Sequence, residues 1–159
     1  MNSENPAGAR IRSEYMHSDL TDNIIGTFYE VYNELGFGFL ESVYEEAMTM
    51  ALQAKSMDAQ RQVAIPVWFR GQKIGFYEAD LVINDCVLVE LKACKVLDSA
   101  HEAQLLHYLR ATEIEIGLLL NFGPKPQIRR LAFDNQRKKI SAHQRKSAAN
   151  GLCGSNENA

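Results

Sequence analysis

Apolar residues recur at helical spacing near the start of the chain, after a polar leader over residues 1–17. An apolar stripe follows possible capping residues at positions 18–22, and its members are Ile24, Ile25, Phe28, Val31, Tyr32 and Leu35. Because residues three and four apart lie on one face of a helix, this stripe predicts a helix that ends at Gly36. A second helix is predicted from about Phe39 to Lys55. One face of it is formed by Glu41, Tyr44, Met48, Ala51 and Leu52, and the opposite, polar face by Ser42, Glu46, Thr49 and Gln53.

The middle of the chain changes to the alternating pattern of β-strands. Every second residue from 63 to 69 is apolar (Val63, Ile65, Val67 and Phe69), and Pro66 among them indicates an edge strand or an irregularity. Turn residues at 70–73 lead to a predicted strand over 74–83, and a third strand is predicted over 86–93. A helix over 98–111, a buried strand over 114–122 and a last strand over 127–133 follow. This order predicts a mixed α/β sheet with a three-stranded meander flanked by helices.

Three charged residues lie in the second and third predicted strands. Glu90 and Lys92 point to the same face, because strand side chains alternate. If a three-residue loop at 84–86 joins the strands, Asp80 falls opposite Glu90, where like charges roughly 5 Å apart repel each other. This arrangement predicts a site for a divalent cation such as Mg²⁺ beside a lysine. The alternative is a surface ion pair between Glu90 and Lys92, although a central apolar strand is an unusual place for one.

Two further positions are candidates for the same site. Glu41 lies at the end of the second helix's apolar face, where it can reach the sheet as a metal ligand or base, or can simply favour the helix start. Gln104 and Tyr108 are four residues apart and share a face of the third helix. Both can hydrogen-bond a phosphate or a water molecule, but an amphipathic helix would also produce this spacing. Their role therefore stays open at this point.

The charge of the chain is divided unevenly along its length. Residues 1–123 contain 18 acidic and 9 basic residues, whereas residues 124–146 contain 8 basic residues and one acid. A basic block of this kind can neutralise phosphates, or it can be a solvated strand edge with a tail. We therefore divide the chain into a leader (1–17), one α/β domain (18–135) and a basic, then polar tail (136–159) that is predicted to be disordered.

The composition is that of a globular protein rather than a membrane or disulfide-rich one. Of 159 residues, 46% are hydrophobic and 23% charged, and no run of eighteen apolar residues predicts a transmembrane helix. Cys86, Cys94 and Cys153 form an odd set without paired spacing. We expect a cytoplasmic protein without a membrane partner.

Several motifs together resemble those of a known group of proteins. Asp80 followed by Glu90-Leu-Lys92 resembles the catalytic signature of the PD-(D/E)XK nuclease superfamily. The segment Gly38-Phe-Leu-Glu41-Ser-Val-Tyr44 matches the motif that names the GxxExxY proteins, a bacterial and archaeal family within that superfamily. Similar stretches at 35–47, 102–109 and 117–123 extend the resemblance over roughly residues 20–134. Ala79 stands where the strict signature has proline, a departure that many members share.

The resemblance implies a restriction-endonuclease-like core and a metal-dependent nuclease that uses Mg²⁺ or Mn²⁺ on nucleic acid, with DNA as the expected substrate. It implies catalytic roles for Glu41, Asp80, Glu90, Lys92, Gln104 and Tyr108, of which Asp80, Glu90 and Glu41 would hold the metal. The basic residues expected to bind the nucleic acid backbone are Arg129, Arg130, Arg137, Lys138 and Lys139. The alternatives are a non-catalytic nucleic-acid-binding or regulatory module that retains the fold, and an interaction protein with a structural cation site.

Overall fold

The computed structural model describes residues 17–135 and residue 138. Within this part of the chain, the elements follow the predicted order of two helices, three strands, one helix and two strands. They are α1 (Ser18–Leu35), α2 (Glu41–Ala54), β1 (Ala59–Phe69), β2 (Gln72–Ile83), β3 (Val87–Lys92), α3 (Ser99–Ala111), β4 (Ile116–Phe122) and β5 (Pro126–Ala132). The α/β class with a mixed sheet and flanking helices is therefore confirmed.

The sheet has five strands in the order β1-β2-β3-β4-β5, so β3 is central as its apolar sequence predicts. β1, β2 and β3 form an antiparallel meander, β3 and β4 are parallel, and β4 and β5 are antiparallel. The parallel pair requires a crossover, which α3 provides. The turn between β2 and β3 has three residues, and Asn84 and Asp85 adopt φ angles of 50° and 53° there. Asn and Asp tolerate this left-handed conformation better than most residues.

Each face of the sheet is covered by a different layer of helices. α1 and α2 pack on one face, where Phe28, Tyr44 and Met48 meet Val89 and Leu91 of β3. α3 packs on the other face, where Leu105 and Leu109 meet Leu88 of β3. Because side chains alternate along a strand, Glu90 and Lys92 project from the same face as Leu88. The charged pair therefore points toward the α3 layer.

Strand β1 is an edge strand with irregular pairing, as Pro66 in its sequence predicts. Its register with β2 shifts between Val67 and Trp68, and Gln62 has a φ angle of 49°. The strand begins at Ala59, four positions before the predicted alternation at Val63. The break in alternation at Gln62 is the reason that sequence periodicity misses this first part of the strand.

Helix α2 differs from its predicted polar face at one position. Thr49 is buried, and its hydroxyl donates a 2.7 Å hydrogen bond to the backbone carbonyl of Glu45 in the preceding turn. A threonine satisfied in this way can face the core without leaving an unpaired polar group. No helix in residues 17–135 is long and apolar enough to span a membrane.

Candidate active site

The candidate site begins at the point where β2 and β3 separate, which we call the fork. Their ladder runs from the pair Ile83 and Val87 to the pair Leu81 and Val89. At the next step the carboxylate of Asp80 accepts a 2.7 Å hydrogen bond from the backbone N–H of Leu91. The side chain thus takes the place of a backbone acceptor at the fork. Extension of the register by one pair puts Asp80 opposite Glu90, which is the placement that the three-residue turn predicts.

Glu90 and Lys92 form an ion pair inside the protein and not on its surface. Lys92 Nζ donates a 3.0 Å hydrogen bond to Glu90 Oε1, and the two side chains are only 13% and 4% exposed. The alternative of a surface ion pair is therefore wrong. Glu90 Oε2 is also buried and has no hydrogen-bond partner among the described residues. A buried carboxylate oxygen in this state is costly unless another group or a cation approaches it.

Both carboxylates resist ionisation, mainly because they are buried. The pKa of Glu90 is raised to about 7, mainly by burial and next by the charge of Asp80, while Lys92 partly opposes the shift. Burial also raises the pKa of Asp80 to about 6, although the Leu91 amide and Lys92 favour the ionised form. Burial lowers the pKa of Lys92, but Glu90, Glu41 and Asp80 together outweigh this effect, so its net pKa is raised and it stays protonated. The cluster therefore carries acidic groups that titrate near neutral pH.

Glu41 approaches this cluster from helix α2, at the end of β3. It is the first residue of α2, and its Oε1 accepts a long hydrogen bond of 3.4 Å from the N–H of Ala93, which follows Lys92. Its charge raises the pKa of both Asp80 and Glu90. Glu41 therefore lies within the electrostatic field of the two carboxylates at the fork.

The loop before Glu41 explains why glycine and tyrosine flank this acid. Gly38 has a φ angle of 109°, which side chains other than glycine rarely adopt. Tyr44 Oη donates a 2.7 Å hydrogen bond to the carbonyl of Gly36 and accepts one of 3.2 Å from the N–H of Phe39. Its ring stacks on Phe122, with the centroids 4.0 Å apart. Tyr44 thus holds the loop that delivers Glu41 to the site.

Replacing Tyr44 with phenylalanine is expected to lower the free energy of unfolding by about 1–2 kcal/mol, because two loop hydrogen bonds to a buried hydroxyl are lost while the ring remains. Urea unfolding followed by circular dichroism measures this change. The control is Tyr29→Phe, since Tyr29 on α1 is 41% exposed. Equal urea midpoints for the wild type and Tyr44→Phe would show that the hydroxyl does not hold the loop.

Gln104 and Tyr108 form a pair on α3, as their spacing predicts. Gln104 Nε2 donates a 2.7 Å hydrogen bond to Tyr108 Oη. Burial raises the pKa of Tyr108, the Gln104 hydrogen bond lowers it, and the charge of Glu90 raises it again. The hydroxyl of Tyr108 is therefore protonated at neutral pH and lies within the electrostatic field of the carboxylates. The structure thus brings the six predicted residues to one end of the sheet.

The donor set fits a hard divalent cation, although no group of three or more His, Cys, Asp or Glu residues within the described chain is arranged as a ready metal cage. Mg²⁺ is commonly bound by one or two carboxylates, with water and phosphate oxygens completing its shell. Asp80 and Glu90 supply two carboxylates, and Glu90 Oε2 is buried without a partner among the described residues. These observations support an ion at the fork without requiring a third protein ligand.

Glu45 is a buried acid near the site that the sequence analysis missed. It is 6% exposed and accepts hydrogen bonds of 2.8 Å from Arg61 Nε and 2.5 Å from Gln62 Nε2. Its charge also raises the pKa of Asp80. The available signal was its position one helical turn after Glu41, which places both acids on the same side of α2.

The predicted nucleic-acid-binding residues lie in different surroundings. Arg129 is exposed on β5 and pairs with Glu102 of α3 at 3.2 Å, and Arg130 points to the opposite face because it is the next residue in the strand. Lys138 is 4% exposed, and its Nζ donates to the carbonyls of Thr112 and Ile114 at 2.8 and 2.7 Å. Burial lowers the pKa of Lys138 to about 8. We therefore leave Lys138 out of the nucleic-acid-binding set proposed below.

Arg137 and Lys139 lie outside the described residues, as do most of the predicted leader and tail. Strand β5 is separated from β3 by β4, so Arg129 and Arg130 are two strands away from the strand that carries Glu90 and Lys92. In the order of the strands, these two arginines are therefore set apart from the acidic cluster of the candidate site.

Three comparisons place the chain among known proteins. The chain is similar to the crystal structure of SSO0001, with a TM-score of 0.47 and 17% sequence identity over 86% of this chain and 72% of the other. No match was found among curated proteins. A family model described as the PD-(D/E)XK nuclease superfamily matches residues 18–131, which is most of the chain and includes the whole candidate site. The chain therefore belongs to the PD-(D/E)XK nuclease superfamily.

Proposed function

We propose that this protein is a divalent-metal-dependent nuclease that hydrolyses phosphodiester bonds of DNA, and that it is one of the GxxExxY proteins within its superfamily. The observation that carries the proposal is the buried Glu90, which is paired with Lys92 on one oxygen and left without a described partner on the other. A buried ion pair in which one carboxylate oxygen lacks a partner contributes little to the stability of the fold. A catalytic role that requires a cation beside Glu90 explains this buried carboxylate better than a structural role does.

The carboxylates of Asp80 and Glu90 would hold Mg²⁺ or Mn²⁺, with Glu41 at the edge of the same site. The ion would lower the pKa of an attacking water molecule and offset the negative charge that develops on the phosphate. Asp80 is fixed for this task by the Leu91 amide, and Glu90 is fixed by Lys92. Leu91 and Lys92, both on β3, thus orient the two proposed metal ligands. This limits the side-chain rearrangement that metal binding would require.

Lys92 is the residue best placed to act on the attacking water. Its ammonium group has three N–H donors, and the structure shows one of them on Glu90 Oε1. The other N–H groups can orient the water or stabilise negative charge on the phosphate. Tyr108 and Gln104 add a hydroxyl and an amide that can donate to a phosphate oxygen. Glu41 either completes the metal shell or accepts the proton that the water loses.

The remaining proposals concern the substrate and the compartment. Membership of a nuclease superfamily supports nucleic acid as the partner, and DNA is our specific choice. Because residues 1–123 are acidic, cations from β5 and beyond, such as Arg129, Arg130, Arg137 and Lys139, would hold the backbone. The free thiol of Cys94 fits a cytoplasmic location.

The test is cleavage of plasmid and single-stranded DNA with Mg²⁺, Mn²⁺ or EDTA, using the wild type and Asp80→Asn. Asparagine keeps an oxygen that can accept from the Leu91 amide, so the fork is retained while one charged ligand is removed. We expect metal-dependent cleavage that Asp80→Asn lowers at least about 100-fold, which corresponds to about 3 kcal/mol of transition-state stabilisation.

The matched control is Asp85→Asn in the turn at the opposite end of the same hairpin, where it contacts Gln60. This variant should cleave as the wild type does. Equal cleavage by Asp80→Asn and the wild type would contradict the proposed site. DNA binding without cleavage under every metal condition would instead favour the non-catalytic module.

A further inference from the structure

A pocket of about 330 Å³ adjoins the Gln104–Tyr108 pair on the α3 face of the sheet. Its lining residues are Tyr77 of β2 and Ala100, Ala103, Gln104, His107 and Tyr108 of α3. This volume lies at the small end of the range of about 300–1,000 Å³ that is usual for ligand pockets. Among the residues that the structure describes, no carboxylate, lysine or arginine lines it. The pocket therefore suits a flat, uncharged group better than a phosphate.

One side of the pocket is aromatic. The rings of Tyr77 and Tyr108 lie with their centroids 5.1 Å apart at an angle of 42°. Tyr108 is 4% exposed, whereas Tyr77 is 40% exposed and so keeps a ring face open to solvent. Nucleobases stack on side chains of this kind when they are not paired within a duplex. Ala100 and Ala103 also line the pocket, and their small side chains leave room for such a ring.

The polar groups of the pocket match the edge of a base. Gln104 uses one N–H on Tyr108 Oη, and its amide has a second N–H and a carbonyl oxygen that can bond outward. His107 is exposed beside it and offers a ring nitrogen as donor or acceptor. Nucleobases present donors and acceptors on their edges that amide and imidazole groups can pair with.

The pocket is lined by Gln104 and Tyr108, two residues of the proposed catalytic site, and Tyr108 lies within the electrostatic field of Glu90, Lys92 and Asp80. We infer that the pocket of Tyr77, Gln104, His107 and Tyr108 binds an unstacked nucleobase next to the reacting phosphate, and that single-stranded nucleic acid is the substrate class. This inference rests on the proposed function for the position of the phosphate. A base within a duplex cannot enter the pocket, because it is stacked between its two neighbours and paired with a base of the opposite strand.

The test measures binding without cleavage. Every protein carries Asp80→Asn, EDTA is present, and the probe is a short single-stranded oligonucleotide containing 2-aminopurine, whose fluorescence falls when the base stacks. We expect quenching with Tyr77 intact and with Tyr77→Phe, and about tenfold or more weaker binding with little quenching for Tyr77→Leu. The matched control is Phe76→Leu, since Phe76 is the preceding residue of β2, is 60% exposed and does not line the pocket.

The same assay separates this inference from the proposed function. Equal affinity and quenching for Tyr77→Leu and its parent would overturn the base pocket, even if the wild type cleaves DNA. Quenching that depends on Tyr77 would support the pocket, even if no metal supports cleavage. An unlabelled duplex of the same sequence is expected to compete about tenfold more weakly than the unlabelled single strand. Equal competition by the duplex would overturn the single-strand assignment.

Discussion

Replacing Lys92 with alanine is expected to lower the rate of metal-dependent DNA cleavage by about 10²–10³-fold, the usual cost of losing one donor to a developing charge. Lys92 is protonated, largely buried and held by Glu90, so its ammonium group is fixed near the fork before a substrate arrives. No water molecule can substitute for a fixed positive charge at the same position. The effect should fall on kcat, because the proposed metal ligands Asp80 and Glu90 remain.

Lys95→Ala is the matched control, because Lys95 is an exposed lysine three residues further along the chain. Circular dichroism and a Mg²⁺ titration of thermal stability would show that Lys92→Ala is folded and still responds to the ion. Such a protein with undiminished cleavage would remove Lys92 from the mechanism. A loss of both cleavage and the Mg²⁺ response would instead indicate that Lys92 mainly supports Glu90.

The central part of this site was predictable because its geometry is local. Strand alternation places Glu90 and Lys92 on one face, and the turn residues Asn84 and Asp85 set the length of the hairpin. Those two facts alone position Asp80 beside Glu90. Charged residues in a central apolar strand have few structural explanations, so the sequence also indicated that this strand had a functional role.

The rest of the site depends on contacts between residues that are distant in sequence. Glu45 is buried because Arg61 and Gln62 reach it from β1, and Gln62 does so from a left-handed backbone conformation that no periodicity predicts. Lys138 is similar, since two backbone carbonyls around position 113 compensate its burial. The Tyr77–Tyr108 pocket likewise requires the packing of β2 against α3. Sequence patterns describe one element at a time and do not contain these pairings.

The metal-free protein is expected to lose stability as pH rises through the range in which Asp80 and Glu90 ionise. The pKa of Glu90 is about 7 in the fold against an ordinary value of 4.5, and that of Asp80 is about 6 against 3.8. The folded protein therefore holds these protons more tightly than the unfolded chain does. Ionisation of the pair costs nothing below about pH 4, costs progressively more up to about pH 7, and is constant above that.

Replacing Glu90 with glutamine removes the larger part of this dependence, because the amide keeps the side-chain shape and cannot ionise. Relative to the wild type, the free energy of unfolding of Glu90→Gln should increase by about 2–3 kcal/mol between pH 4.5 and pH 8. Any fixed cost of burying the amide shifts the whole curve and leaves this change intact. Urea unfolding in EDTA at a series of pH values measures it.

Glu78→Gln is the matched control, because Glu78 is an exposed glutamate on β2 and its replacement should leave a curve parallel to that of the wild type. Addition of Mg²⁺ at pH 8 should stabilise the wild type and reduce the difference from Glu90→Gln, since a cation offsets the repulsion that ionisation creates. Parallel curves for the wild type and Glu90→Gln across this pH range would show that ionisation of Glu90 does not destabilise the fold. The buried oxygen of Glu90 would then need another explanation, because the proposed metal site rests on a cation that offsets the cost of ionising these two carboxylates.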